Sequence, residues 1–247
     1  MTRKETFDRD GFVAIPGFYG SEETSAIEAA LARFIDARLP YLPPEQVFHE
    51  DKADPSTLKQ IQRLHDHDPF FGELFDDKPR RLAEELLGET VVGKNFQYFN
   101  KPPARNQATP PHQDGQYFML EPCHALTLWL ALDPADEENG CVRYVRGSHL
   151  RGLRHHGRTQ TLGFSQGITD FGLPEDAANE VPSPARPGDL LAHHALTIHR
   201  ADANASSTRP RRALGFIFYA LSAREDLAAH NAYQAELAAE LVATGKI

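Results

Sequence analysis

The spacing of apolar positions changes near residue 90. Before that point, FVAIPGF (12–18) reads as a short apolar strand stopped by a Pro/Gly turn. Ser21 then caps a helix with an acidic first turn, Glu22 and Glu23. Ala26, Ile27, Ala30, Leu31, Phe34 and Ile35 recur at helical spacing along one face, and Pro40, Pro43 and Pro44 end the helix. A second helix is predicted over 79–87, stopping at Gly88. From Val91 onward, short apolar segments alternate with turn residues: 91–99, 115–120, 124–132, 141–145, 189–199 and 211–221. Asn139-Gly140 is a tight-turn signal before the fourth of them. Strands without intervening helices predict an antiparallel sandwich or barrel. An Ala-, Leu- and Glu-rich helix over 224–243 closes the chain. The expected fold is therefore mainly β with flanking helices: a helical part over 1–90, a β core over 91–221 and a C-terminal helix.

Composition narrows the classes. The 247 residues include 40% hydrophobic and 25% charged, enough for one large core, so a single domain over 1–247 is expected. A formal net charge of −9 argues against a nucleic-acid partner. No apolar run reaches the roughly 18 residues of a membrane span, and no apolar signal core follows the N-terminus, so no membrane partner is expected and the cytoplasm is the expected compartment. Two cysteines, Cys123 and Cys141, offer neither a disulfide framework nor a thiolate metal site, and both read as small core residues.

The chemistry sits in His112-Gln113-Asp114. In an extended segment, residues i and i+2 point to the same side, so one imidazole and one carboxylate can converge on a single ion. His199, ending the apolar segment LLAHHALTIH, supplies a third donor. Two histidines and a carboxylate make the facial triad of non-haem Fe(II) oxygenases, which leaves positions open for a co-substrate and O₂. An HxD pair alone is weak evidence in a chain with 12 histidines. Arg211, twelve residues after His199 across RADANASSTRP, strengthens it. If that turn joins antiparallel strands, a guanidinium returns near the metal, where it can bind the distal carboxylate of 2-oxoglutarate in bidentate fashion. Strict alternation turns only one of Arg211 and Arg212 inward, and Arg211 is the choice. The stretch 153–187 shows no periodicity and reads as a lid or a plain surface insertion; its place between the ligand segments favours the lid. Five arginines and three histidines between 143 and 158 form a cluster that can guide an anionic substrate or lie as a solvated, ion-paired loop.

Several segments together resemble the phytanoyl-CoA dioxygenase family of Fe(II)/2-oxoglutarate oxygenases: FDRDGFVAIPGF, NKPP (100–103), PHQDGQYF (111–118), LWLALDPADEENGCVRYVRGSH (128–149), GDLLAHHALTIH (188–199) and RPRRALGF (209–216). They cover most of the chain in the family's order. The resemblance implies a double-stranded β-helix, or jelly-roll barrel, with N-terminal helices packed outside. It implies His112, Asp114 and His199 as iron ligands, Arg211 as the anchor of 2-oxoglutarate, and Gln97, Gln113 and Trp129 as co-substrate lining. A basic residue near Lys59-Gln60 is implied there too. His194 matches a histidine often found before the distal ligand, serving either beside the metal ligands or as a hydrogen-bonded core residue. Arg200 and Ala201 stand where many relatives have a small residue and a serine. The turn to Arg211 is one residue longer than in many relatives, which leaves Arg209 and Arg212 as alternative anchors. Related halogenases replace the carboxylate ligand with a small residue, so Asp114 favours hydroxylation. The implied reaction is hydroxylation of an aliphatic C–H bond in a small substrate, an anionic one being among the candidates, with release of succinate and CO₂. The competing readings are a metal oxygenase or isomerase that does not use 2-oxoglutarate, a non-catalytic cupin-like binding module, and a zinc hydrolase, for which the sequence shows no positioned general base.

Overall fold

The computed structural model describes residues 1–103 and 107–245. The N-terminal part runs α1 (Arg3–Asp10), β1 (Phe12–Ile15), α2 (Ser21–Ala37), β2 (Val47–His49), β3 (Leu58–Ile61), α3 (Leu64–His67), α4 (Pro69–Asp76) and α5 (Lys78–Leu87). The helix predicted from Ser21 is present, but Gly20 is its cap, its N–H donating to the Glu23 carboxylate at 3.0 Å. Its buried face is Thr24, Ile27, Ala30, Leu31 and Phe34, while Ala26 stays exposed. Gly88 ends α5 with φ +77, a left-handed conformation that glycine adopts without a Cβ clash.

The β core continues with β4 (Val91–Lys101), β5 (Thr109–His112), α6 (Gly115–Phe118), β6 (Leu120–Glu121), β7 (Ala125–Ala131), β8 (Val142–Val145), β9 (His156–Thr161), β10 (Phe164–Ile168), α7 (Pro174–Asn179), β11 (Glu180–Ser183), β12 (Leu190–His194), β13 (His199–Ala201), β14 (Arg211–Ala220), β15 (Arg224–Glu225) and α8 (Leu227–Ala243). Seven strands form one sheet, ordered β1-β12-β7-β14-β4-β3-β2, and four form a second, β11-β8-β13-β5. The helical N-terminal part thus lends three strands to the large sheet.

Alternation along each strand sends side chains to two different cores. In β7, Leu126, Leu128 and Leu130 join a cluster with Ile27, Phe34, Leu82 and Leu86 of the outer helices. Trp129 and Ala131 point the other way and pack with Val142 and Tyr144 of the small sheet. The large sheet is therefore covered by helices on one face and by the small sheet on the other. Phe34, Phe71, Phe96 and Phe216 form a ring chain through the helix side, the first two contacts edge-to-face at 5.6 Å each and the last stacked at 4.3 Å. The jelly-roll layout agrees with the sequence. The two sheets face each other without closing into a barrel, because their strands pair within each sheet and not across the edges.

Four local expectations are corrected. Residues 115–118 form a helical turn, not a strand, with the Gly115 N–H bound to the Ala195 carbonyl at 2.9 Å. The segment 189–199 is two strands in different sheets, parted by a turn at 195–198. And 153–187 is not structureless: it holds the β9–β10 hairpin, α7 and β11, the last pairing with β8. Likewise β13 and β14 belong to different sheets, so the turn before Arg211 crosses the sandwich and is no hairpin.

Candidate active site

His112 and His199 are direct cross-strand partners in the small sheet, with ring centroids 4.1 Å apart. The strand ends at His112, and Asp114 opens the helical turn α6. That bend still brings its carboxylate to the two imidazoles, with Oδ1 lying 3.5 Å from His112 Nε2 and 3.7 Å from His199 Nε2. One ligand atom from each of the three residues falls within 4.8 Å of the others. Both imidazoles are pre-oriented. His112 Nδ1 contacts the Pro110 carbonyl at 2.8 Å, and His199 Nδ1 the Thr197 carbonyl at 2.9 Å. A carbonyl only accepts, so each Nδ1 carries the proton and each Nε2 keeps its lone pair for an ion. Burial, then the His112 and His193 rings, holds His199 well below its ordinary pKa, so it stays neutral. Burial opposes ionisation of Asp114, but the surrounding histidines, with His193 Nε2 on Oδ2, keep its carboxyl well below the usual range. The donor set therefore fits a divalent ion of borderline character.

Asp114 Oδ2 is occupied separately. The Thr127 hydroxyl donates to it at 2.6 Å, and His193 Nε2 lies 3.2 Å away. His193, which the sequence does not single out, is the histidine beside the His-Asp-His cluster. His194 faces the opposite side, among His124, His149 and Phe7, where its Nδ1 accepts from the Leu196 N–H at 3.1 Å. It is the hydrogen-bonded core residue of the two alternatives. Gln113 also points away from the cavity. Its amide donates to the Gly152 and Leu196 carbonyls at 2.9 and 2.7 Å and accepts from the Arg154 N–H at 2.8 Å, tying loops together. No contact puts it against a co-substrate.

The triad lies in the wall of a cavity of about 1000 Å³ that also contains Gln97, Trp129 and Arg211. Arg211 is 5% exposed, its guanidinium sits over the Trp129 ring at 5.4 Å, and its Nε has no hydrogen-bond partner. No ion pair reaches it from the described residues, and burial pushes it down to about 10. Arg212, one position on, faces the helices instead and binds Asp133 at 2.7 Å and Glu28 at 2.8 Å. Arg209 is paired with Asp136 and Glu138. Gln97 is held by Gln60, whose amide donates to its carbonyl at 2.6 Å. Gly215 lies between Gln97 and Trp129 in register, and a Cβ there would come 2.6 Å from the Phe99 ring, so the missing side chain lets Phe99 pack directly over the strand. Lys101 and Lys59 line the same corner, bonding the carbonyl and the side chain of Gln107 at 2.8 and 2.7 Å. Burial, then the Arg211 and Lys59 charges, drives Lys101 well below its ordinary value. This corner is electropositive and suited to an anion.

The roof comes from the stretch expected to be a lid or an insertion. Phe164 of β10 packs on the His112 ring at 5.1 Å, and the Tyr117 hydroxyl donates to the Gln166 carbonyl at 2.9 Å. Ser165 bonds Tyr233 of α8, and Arg158 pairs with Glu236 and Glu240 at 2.9 and 3.0 Å. The arginine cluster is ion-paired, as in the second of the two expectations. Arg143 binds Asp202, Arg146 Asp10, Arg151 Glu175 and Arg154 Asp176, and none of the five lines the cavity.

Comparison with known proteins fits this geometry. Among solved structures, EctD from S. alaskensis with bound Fe superposes with a TM-score of 0.75 at 20% identity, covering 91% of this chain and 78% of that one. The epimerase SnoN in complex with Fe3+, alpha ketoglutarate and nogalamycin RO superposes with a TM-score of 0.71 at 25% identity, covering 90% and 84%. Among curated sequences, the mouse (Mus musculus) phytanoyl-CoA dioxygenase domain-containing protein 1 is 33% identical over 147 residues, 58% of this chain. That match spans only half of the mouse protein's length. Phytanoyl-CoA dioxygenase 1 of rice (Oryza sativa subsp. japonica) is 26% identical over 235 residues, covering 81% of this chain and 82% of the relative. No helix among the described residues is long and apolar enough to cross a membrane. With the family profile of phytanoyl-CoA dioxygenase (PhyH) matching residues 7–213, across both sheets and every residue of the triad, the chain belongs to the phytanoyl-CoA dioxygenase family of Fe(II)/2-oxoglutarate oxygenases.

Proposed function

We propose that the protein is an Fe(II)- and 2-oxoglutarate-dependent dioxygenase that hydroxylates an aliphatic C–H bond of an uncharged small molecule. The observation that carries this reading is one cavity holding both a His-Asp-His cluster and a buried arginine with no acidic partner among the described residues. His112, Asp114 and His199 would hold the iron. On the inner face of β7, Thr127 supports Asp114 and Trp129, two residues on and about 7 Å along the strand, covers Arg211. A five-carbon diacid is the right length to reach from the metal to that guanidinium, with Gln97 and Trp129 along its side. An iron held there would supply the oxidising chemistry, with O₂ as oxidant and 2-oxoglutarate converted to succinate and CO₂. The protein's part is to orient both substrates and keep water out of the cavity. Arg211 has no role in a metal oxygenase that lacks 2-oxoglutarate, and the intact His-Asp-His cluster counts against a non-catalytic module.

The substrate end supports an uncharged ligand. Tyr117, Phe118, Leu162, Phe164, Tyr233 and Leu237 supply apolar wall. The cations there are already paired: Arg63 with Asp66, Lys94 with Glu225, Arg200 with Glu180. A phosphate or carboxylate on the substrate would have to break such a pair. The test is succinate formation from 2-oxoglutarate with Fe(II), against a panel of matched neutral and anionic substrates. Neutral compounds should stimulate turnover, and the product should gain one oxygen atom. An unchanged product mass would indicate epimerisation, the activity named for SnoN. Absence of 2-oxoglutarate binding by the iron-loaded protein would remove the reading altogether.

A further inference from the structure

We infer that His193 is a positioning residue for the metal site: it holds Asp114 in a one-oxygen binding mode by donating to the oxygen that faces away from the ion. The inference rests on the iron reading above and concerns how this chain prepares its carboxylate ligand. The two oxygens of Asp114 have different surroundings. Oδ1 faces the Nε2 atoms of His112 and His199. Oδ2 meets the Thr127 hydroxyl at 2.6 Å and His193 Nε2 at 3.2 Å. Thr127 and His193 are cross-strand partners on β7 and β12, so one sheet presents two donors side by side to a ligand carried by the loop after β5.

The proton on His193 is assigned by the network. A carboxylate only accepts, so Nε2 must carry the hydrogen. Nδ1 then accepts, and the Tyr144 hydroxyl lies 3.1 Å from it. Tyr144 is fully buried and comes from β8 of the opposite sheet, where it is the direct neighbour of His199. Tyr144 thus fixes the tautomer of His193, and His193 fixes the rotation of Asp114. Both rings are at most 3% exposed, so water does not compete for these bonds. With Oδ2 saturated by two donors, Asp114 offers the ion one oxygen instead of two. The remaining coordination positions are then left to the co-substrate and O₂.

The experiment compares His193→Phe, His193→Gln and Tyr144→Phe with wild type by titrating Co(II) and Fe(II) into the metal-free protein and recording the Co(II) ligand-field spectrum and the thermal midpoint. His193→Phe keeps ring volume and removes the donor, so metal affinity should fall about 10- to 100-fold with an altered Co(II) spectrum. His193→Gln restores an N–H at the Nε2 position and should return affinity to within about threefold and the spectrum to the wild-type form, the scatter expected of a hydrogen bond rebuilt at slightly different length. Tyr144→Phe should fall between the two, because the tautomer is no longer enforced. Wild-type affinity in a folded His193→Phe overturns the inference while leaving the iron reading intact. Equal loss in the Phe and Gln variants with matched thermal midpoints also overturns it and makes His193 itself a ligand. A wild-type protein that binds neither ion overturns both.

Discussion

Replacing Arg211 with methionine keeps most of the apolar contact with Trp129 and removes only the guanidinium. In wild type that group is 5% exposed, covered on one side by the Trp129 ring, and unpaired with any acid among the described residues. Its cost in the ligand-free protein is visible in the fall of its pKa to about 10, caused by burial. The distal carboxylate of 2-oxoglutarate would be its missing partner. Deleting one member of a buried charge pair costs about 3–5 kcal/mol, because the other charge is left uncompensated. At about 1.4 kcal/mol per tenfold, the 2-oxoglutarate requirement should rise by roughly two to three and a half orders of magnitude. Metal affinity should barely change, since no contact joins Arg211 to the triad. The ligand-free protein should melt at the same temperature or higher, because a buried uncompensated charge has gone. Two assays read this: succinate release against 2-oxoglutarate concentration, and melting of the Co(II)-loaded protein with and without 2-oxoglutarate. At 100 times its wild-type Kd, 2-oxoglutarate stabilises wild type by about 2.7 kcal/mol and should do almost nothing for the variant. Arg212→Ala is the control, losing its Asp133 and Glu28 pairs and hence stability, with the 2-oxoglutarate requirement intact. A wild-type 2-oxoglutarate requirement in Arg211→Met, or a large rise in Arg212→Ala, would refute the assignment.

Other outcomes are fixed by the same structure. Asp114→Ala should abolish iron-dependent turnover and lower Co(II) affinity by well over tenfold, as read by titration, because the only carboxylate of the cluster is lost. Phe96→Ala should cost about 3–5 kcal/mol in urea unfolding, since Phe96 is fully buried between Phe71 and Phe216. Burial, then the nearby His149 and His124, lowers His194 to about 3. A base lowered in the folded state is neutral there and protonated in the unfolded chain, so stability is lost as pH falls below the unfolded value near 6.5, by about 1.4 kcal/mol per pH unit down towards 3. His194→Asn, which keeps an acceptor for the Leu196 N–H, should make that acid limb shallower by one proton in urea midpoints measured between pH 7 and pH 4.5. Truncation before Leu227 should leave the fold intact, because α8 buries no residue and is tied to the hairpin mainly by surface pairs worth about 0–1 kcal/mol each. The same truncation should raise the substrate KM, because Tyr233 and Leu237 are removed from the cavity.

How far the sequence reveals the site depends on whether polarity alternates. In β14 it does at the decisive place: Arg211 and Arg212 point to opposite faces, and only one face has acids waiting for it. Alternation counted from His112 puts Gln113 on the other face, so a strict reading excludes Gln113 where family resemblance includes it; the strand itself ends at His112, and it is the helical turn after it that carries Asp114 back to the two imidazoles. β12 gives no such signal. Leu190, Leu191, Ala192 and His193 are all buried, because helices cover one face of the large sheet and the small sheet the other. With both faces apolar, nothing in the composition says whether His193 or His194 turns toward the metal. Parity counted back from His199 is no guide by itself, since the turn at 195–198 carries the chain from one sheet to the other.

The region read as structureless fails for a related reason. In β9, half-buried and exposed residues alternate after His156, and β10 places Phe164 against the His112 ring instead of a hydrophobic core. A hairpin that covers a cavity is selected for what it faces, so its apolar positions need not repeat at a strand's period. The result is a site in layers. Hydrophobic alternation fixes the two sheets, and their register sets His112 against His199 and Thr127 against His193. Only the contact between the sheets then joins Tyr144, His193 and Asp114. The His-Asp-His cluster is legible from one strand end and one loop. The residues that aim it depend on two sheets meeting, and no local sequence pattern carries that information.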